Sequence, residues 1–406
     1  MTKWILKKSA AKRFETGHPW VFSNEIESVK GCDKGDFVDL HNTSGRFLAR
    51  GFANPASLIS FRRLSEQKEE IDHKWLVAKI FERRKLREQM GLRASRRLSH
   101  GEADGMPGLV IDEFLSDGQL YWSIHVHTAG MERMFNRFTP ASFLKEFAAI
   151  ENLKGVVLRR DSKSREMEGL TILEPEVAGE VPEFCRIDVD QGEILKYEVN
   201  FKEGQKGGFF LDQRKNVSWL RDFLKYYHFD KNVRILDAFC YCGQWGIGCA
   251  HALQAAGFNA EVAFADSSET ALEAAMKNAK AYSLSAEKLK LDLVDQEWPW
   301  SAHFDVVVCD PPALIKSKKH YFAGRRAYLK IILRSLKALK SHGIFVASSC
   351  SFHLSRYDLL ETLLEAQMLL GIKLKIVHEF SLPPDHPRAP EFPEGDYLKG
   401  FICLIG

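Results

Sequence analysis

No stretch of this 406-residue chain approaches the roughly 18 to 20 continuous apolar residues that a membrane-spanning helix needs, so a helical membrane protein is not expected. A large excess of one charge is also missing. With 57 Lys and Arg against 54 Asp and Glu, the net charge is only +3, and bulk electrostatics select no class of partner. Neither the phosphate-cradling G-x-G-x-x-G nor a Walker lysine motif occurs, which argues against a dinucleotide or nucleoside triphosphate held by its pyrophosphate. Internal repeats and low-complexity tracts are absent. The start, Met1-Thr2-Lys3-Trp4-Ile5-Leu6-Lys7-Lys8, has neither an apolar signal core nor a cleavage site, so a cytoplasmic location is expected. The 8 cysteines are scattered and read as free thiols in a reducing compartment.

What is present reads as a globular chain of two or three domains, with 45% hydrophobic and 27% charged residues. Residues 1–68 hold short β-like runs (Phe37–Leu40, Phe47–Arg50, Leu58–Phe61) separated by glycine-containing turns, which predicts a small β-barrel. Residues 69–195 predict a small α+β segment. It opens with a helix over Ile71 to about Met90, in which Ile71, Trp75, Leu76, Ile80 and Phe81 form an apolar stripe opposite a basic face. From residue 196 to 406 strands and helices alternate, the rhythm of an α/β, Rossmann-like, doubly wound parallel sheet.

Two segments carry the chemistry. Val306-Val307-Val308-Cys309-Asp310-Pro311-Pro312 and Ile344-Phe345-Val346-Ala347-Ser348-Ser349-Cys350-Ser351 are apolar runs ending abruptly in small or acidic residues. They predict buried parallel strands, and ligands bind outside the carboxyl ends of such strands, so Asp310 and Cys350 are expected at one pocket. A carboxylate and a thiol over a planar base suit methylation of a pyrimidine carbon. Cys309, inside its apolar run, reads as core.

The other half of the pocket starts at Ile235-Leu236-Asp237, whose strand turns through Cys240-Tyr241-Cys242-Gly243 into a helix. A second strand ends in Asp266, where an acid commonly grips ribose hydroxyls. Together these suit a nucleoside-type cofactor without a pyrophosphate, and S-adenosylmethionine fits better than NAD or ATP. Asp292 and Asp295 follow the next strand-like run, and Asp295 is the favoured contact for the adenine amino group. Cys240 and Cys242 have no partner group at zinc spacing and read as small packing residues, with no metal expected. Two basic runs stand out. Arg83, Arg84, Lys85, Arg87, Arg93, Arg96 and Arg97 read as a solvated face. Lys316, Lys318, Lys319, Arg325 and Arg326 directly follow the Asp-Pro-Pro tip and are candidates for RNA phosphate contacts.

Five motifs occur in order: Gly101-Glu102-Ala103-Asp104-Gly105-Met106-Pro107-Gly108-Leu109, Gly204 through Arg214, Asp310-Pro311-Pro312, Ser349-Cys350-Ser351, and Pro393-Glu394-Gly395-Asp396-Tyr397-Leu398-Lys399-Gly400. With Gly17-His18-Pro19-Trp20-Val21-Phe22, the chain resembles the family of ribosomal large-subunit methyltransferase I, the 23S rRNA (cytosine-5)-methyltransferases, over essentially its whole length. The resemblance implies an RNA-binding PUA domain, a central α+β domain and a class I methyltransferase domain that uses S-adenosyl-L-methionine. It also implies cofactor contacts from the segment Leu211-Asp212-Gln213-Arg214, Asp237, Asp266 and Asp310, to which the close backbone approach at the glycine turn adds Gly243. The chain departs from the family at Gln244-Trp245, where a small residue is usual, and at Ala313, where lysine is frequent.

C5 of cytosine is a poor nucleophile, and a thiolate adding to C6 makes it enamine-like. That assigns Cys350 as the expected nucleophile, with Asp310 at the N3/N4 edge of the base if protonated, or orienting cofactor and base if ionised. Ala313 and Leu314 stand where some relatives carry a second cysteine, so a single-thiol scheme is expected. His353 and His386 read equally as pocket or structural residues, and the Asp385-His386-Pro387 and Gly395-Asp396-Tyr397 turns read as loops bordering the pocket. Two other readings are a guanine-type RNA N-methyltransferase, which needs no thiol, and a non-catalytic RNA-binding protein with the same fold. The sequence leaves a homodimer open.

Overall fold

A computed structural model of the chain describes residues 1–27, 31–202 and 204–406; the side chains of Gln205 and Lys206, within the Gly204–Arg214 motif, lie outside the described residues. The chain forms two compact units. The first comprises residues 1–187, 200–207 and 384–395; the second comprises 188–199, 208–383 and 396–406.

In the first unit, β1 (Thr2–Ile5), α1 (Lys8–Glu15), β2 (Trp20–Phe22), β3 (Phe37–His41), β4 (Phe47–Ala53) and β5 (Ile59–Ser65) build a five-stranded sheet of order β1-β3-β4-β5-β2. Alternating apolar residues of these strands close on Trp4, Phe14, Val21, Leu40 and Phe61 as a core. A helix follows, α2 (His73–Gln89), capped by the Asp72 carboxylate accepting from Trp75 N at 2.9 Å. Next come β6 (Arg96–His100), β7 (Leu109–Ser116), β8 (Gln119–Val126), α3 (Ala129–Phe135), α4 (Pro140–Glu146), β9 (Leu153–Arg160), β10 (Leu173–Gly179) and β11 (Phe184–Asp190). Their sheet runs β10-β9-β8-β7-β11, with β6 on β7, and α2 to α4 bury Leu76, Ile80, Met131 and Phe135 in one core with Ile111, Trp122 and Ile124.

The basic run over α2 and β6 differs from the expected solvated face. Arg87 is fully buried and bidentate to Asp104 (2.9 and 2.6 Å), Arg97 is bidentate to Asp112 (2.8 and 2.9 Å), and Arg96 and Arg84 share Glu113 (2.9 and 3.0 Å). Neighbouring acids on β7 and in the Gly101–Gly108 turn neutralise the run from within, because an unpaired buried guanidinium is prohibitively costly. Glu102 of the same turn accepts from Trp20 Nε1 and Arg62, both at 2.8 Å. The acids of this motif therefore hold structure together. Asp385 and His386 also belong to this unit: Asp385 O accepts from Arg87 (3.0 Å) and its Oδ2 from Arg97 N (2.8 Å), and both residues are buried. They form part of this ion-pair core, within a turn.

The second unit holds β12 (Ile194–Asn200), α5 (Arg214–Tyr226), β13 (Asn232–Ala238), α6 (Gln244–Ala255), β14 (Asn259–Asp266), α7 (Glu269–Ala281), β15 (Ser285–Lys290), β16 (Phe304–Cys309), α8 (Tyr321–Ala338), β17 (Leu339–Ser349), α9 (Arg356–Leu370), β18 (Leu374–Ser381) and β19 (Lys399–Ile405). The sheet order is β15-β14-β13-β16-β17-β19-β18. Neighbours from β15 to β17 are parallel, as expected, while β19 lies antiparallel to both β17 and β18. No strand was expected at β19, whose sequence follows a turn-rich segment. Helices α8 and α9 pack on Val307, Cys309, Phe345 and Phe401 of this sheet. The chain leaves β13 toward β14 on one side and later returns to β16 on the other. In α/β sheets such a reversal marks where ligands bind, here outside the carboxyl tips of β13 and β16.

Candidate active site

Parallel register brings three strand tips level, since Ala238 pairs with both Ala265 and Cys309. Asp237 is buried at the first tip. Its Oδ2 accepts from Gly246 N at 2.7 Å, while its Oδ1 has no hydrogen-bond partner among the described residues. Burial pushes this carboxyl well above the usual carboxylate range, with Asp310 and Asp266 adding to the effect. The turn after β13 is left-handed at Phe239 (φ 63°), Tyr241 (φ 49°) and Gly243 (φ 82°). A side chain at Gly243 would lie 2.9 Å from Ile247 Cδ1 and 3.1 Å from Phe264 Cε1, so only glycine brings the start of α6 this close to β14. Such outliers concentrate at ligand sites. Asp266, half-buried at the second tip, steadies this turn by accepting from Tyr241 N (3.2 Å) and Ser268 N (2.9 Å).

Asp310 is the hub of the third tip. Gln213 Nε2 donates to both of its oxygens (3.0 and 2.9 Å) and also to Ser348 Oγ (3.0 Å), while Trp245 Nε1 donates to Oδ2 (3.1 Å). Gln213 Oε1 accepts from Asn216 at 2.7 Å, which fixes the orientation of the amide. Burial pushes the Asp310 carboxyl up to about 6, against the pull of the Ser348, Trp245 and Gln213 donors. Asp212 is buried beside Gln213 and accepts from Tyr397 OH at 2.7 Å. Arg214, also buried, donates to Leu211 O at 3.2 Å.

Cys350 follows directly on β17. It is half-buried, with its sulfur 3.8 Å from Pro311 O, so the thiol borders the Asp-Pro-Pro turn. Its neighbours are fixed. Ser349 Oγ and Ser351 Oγ both bond Tyr328 OH at 2.9 Å, and Ser351 Oγ accepts from Ile315 N at 3.1 Å. Lys399, at the start of β19, donates from Nζ to Ser351 O and Leu354 O, both at 2.8 Å. By contrast Cys309 lies in the core, where burial pushes its thiol up to about 12.

Other expected residues stand apart from these contacts. Asp292 and Asp295 are exposed, and Asp292 Oδ1 accepts from Val294 N and Asp295 N at 3.0 Å, which makes it a turn-former. Lys316, Lys318, Lys319 and Arg326 are exposed, whereas Arg325 pairs with Glu365 of α9 at 3.0 Å. Cys240 and Cys242 are buried free thiols. His353 is half-buried against Phe352. Residue-by-residue reading missed Trp245, Ser348, Tyr328, Tyr397 and Lys399. Tyr397 and Lys399 lie inside a recognised motif, which was the available signal.

Comparison with known proteins adds the family. Residues 5–66 match the family model of a PUA-like domain, and residues 229–377 match that of a methyltransferase domain. The ribosomal RNA large subunit methyltransferase I of Tolumonas auensis is 31% identical over 420 residues, covering 99% of this chain and 98% of that protein. Its namesake in Pseudoalteromonas atlantica is 31% identical over 401 residues, covering 96% and 95%. A structure from Streptococcus mutans described as a SAM-dependent methyltransferase matches with TM-score 0.77 at 17% identity, covering 100% of both chains, a likeness of fold. This chain belongs to the ribosomal RNA large subunit methyltransferase I family.

Proposed function

We propose that this chain is a cytoplasmic RNA methyltransferase that forms 5-methylcytosine in 23S rRNA, with Cys350 as nucleophile and S-adenosylmethionine as methyl donor. In this reading residues 1–68 bind RNA, 69–195 form a central domain and 196–406 carry catalysis. The observation that carries the proposal is the thiol of Cys350 against the Asp310-Pro311-Pro312 turn, at the tips of two adjacent parallel strands. The names of the relatives from Tolumonas auensis and Pseudoalteromonas atlantica support the large-subunit rRNA target.

The residues fit the cofactor. Asp237 offers an unpaired buried carboxyl oxygen, the Gly243 turn is a close-approach cradle, Asp266 ends the neighbouring strand, and residues 239–246 contain no basic side chain that would call for a phosphate. Gln213 reaches the Asp310 tip directly, and the Asp212 carboxylate lies close enough to act on Asp310. When bound, S-adenosylmethionine supplies an electrophilic methyl on a sulfonium. The Cys350 thiolate adds to C6, and Asp310, with a proton affinity near neutrality, hands a proton to N3 as charge develops there. C5, now enamine-like, would be the carbon able to accept that methyl, with S-adenosylhomocysteine as the leaving group. A base then removes the C5 proton, N3 returns its proton to Asp310, and the thiolate leaves.

RNA with 5-fluorocytosine at the target tests the scheme, because fluorine cannot leave as a proton and the Cys350 thioether should persist as a gel-stable adduct. Cys350→Ala should retain cofactor binding and lose methyl transfer. Full activity in that variant would end the thiol mechanism and bring a nitrogen-methylating reading forward.

A further inference from the structure

Lys399 is 7% exposed, and an ammonium is a costly group to bury. Among the described residues no carboxylate forms an ion pair with it. Its two observed bonds go to the carbonyl oxygens of Ser351 and Leu354, in the turn that follows Cys350. An ammonium has three donors, and only two are engaged here. The antiparallel pairing of β17 with β19 puts Lys399 directly opposite Ser349, the residue before Cys350. The cation is thus fixed in register with the cysteine on both sides of it. A leucine or methionine could fill a buried strand start without this cost.

We infer that Lys399 is a positioning residue that holds a buried positive charge against Cys350, stabilising the thiolate in which Cys350 attacks. This rests on the reading of Cys350 as nucleophile. Burial brings the Lys399 ammonium down to about 8, with Asp396, Cys350 and Asp358 opposing the drop, so it stays charged near neutrality and gains from an adjacent anion. Among the described residues, Tyr328, pushed up chiefly by burial, and Asp310 also stand around this tip, and neither carries positive charge. On ionisation the thiol proton passes to solvent, and in the resting enzyme no bond forms or breaks beyond S–H.

The test is the pH dependence of iodoacetamide alkylation at Cys350 in the full-length chain without RNA, read by peptide mass so that Cys32 and the buried thiols are separated. Lys399→Gln keeps a donor for the turn and removes the charge. It should raise the alkylation midpoint by about one pH unit, which is a tenfold lower rate on the acid side. Lys399→Arg should restore the wild-type midpoint. Tyr328→Phe loosens the same tip without touching the charge and should leave the midpoint in place. A wild-type midpoint in Lys399→Gln, or an equal rise in Tyr328→Phe, would reduce Lys399 to a turn clamp. If Lys399→Gln does not fold, a midpoint in folded Lys399→Arg displaced as far as one unit overturns the proposal, and an unmoved one upholds it. Loss of the parent reading would register separately, as methyl transfer surviving in Cys350→Ala.

Discussion

Replacing Asp310 by asparagine keeps the shape of the β16 tip and removes its proton equilibrium, so the cost of burying that carboxyl becomes measurable. In the folded chain burial moves the group from 3.8 to about 6. Each pH unit of such a difference is worth about 1.4 kcal/mol, which makes the whole displacement about 3 kcal/mol. The sign comes from proton counting. Below 3.8 both folded and unfolded chains hold the proton, and the penalty is absent. From there to about 6 the unfolded chain releases its proton while the folded one keeps it, so stability falls as pH rises; beyond about 6 the loss is complete. Urea denaturation of both proteins from about pH 4 to 8 should show Asp310→Asn gaining on wild type by up to about 3 kcal/mol, then holding level. The amide must re-pair with Gln213, a contribution that does not vary with pH and so leaves the trend untouched. Methyl transfer should fall in the same variant, an exchange of activity for stability. A stability gap that stays constant between about pH 4 and 7 would refute the assignment of Asp310 as a carboxyl held near neutrality by burial.

Two further outcomes are expected. Asp104→Ala strands the buried Arg87 guanidinium and should destabilise the fold by about 3 to 5 kcal/mol in urea denaturation, whereas an effect under about 1 kcal/mol would mean that water reaches Arg87. Neutralising Lys316, Lys318 and Lys319 together should flatten the dependence of log K on log salt for RNA binding by somewhat under one unit per lost phosphate contact; an unchanged slope would leave these lysines as ordinary solvated surface.

The strand tips were legible because β-branched runs that stop at Asp310 and Cys350 state both burial and its end. Their surroundings were less so. Gln213 and Trp245 reach Asp310 from segments before and after β13, and nothing local to either residue announces a carboxylate partner. Lys399 depends on the antiparallel register of β19 against β17, which a turn-rich approach through Gly395 and Asp396 conceals. The basic run over α2 and β6 misled for a related reason. Its partners Asp104, Asp112 and Glu113 stand in a later turn and strand, so charge along the helix could not reveal that it is neutralised internally. Of Asp292 and Asp295, the less favoured candidate for the adenine amino group, Asp292, has its side chain engaged by the backbone of its own turn.

The return of Asp385 to the first unit has a consequence for the order of biosynthesis. Arg97 N and Asp385 are separated by 288 residues, yet they share a buried hydrogen bond. At roughly 5 to 20 residues per second, a nascent chain waits about 15 to 60 s between making the two. Through that interval the Arg87 guanidinium and the Arg97 amide lack their last acceptors, and the N-terminal part cannot reach its final core while it is being synthesised. Completion of the first unit therefore waits until residue 385 has been made, and a fragment ending before residue 384 should be a less stable protein than its apparent domain boundaries suggest.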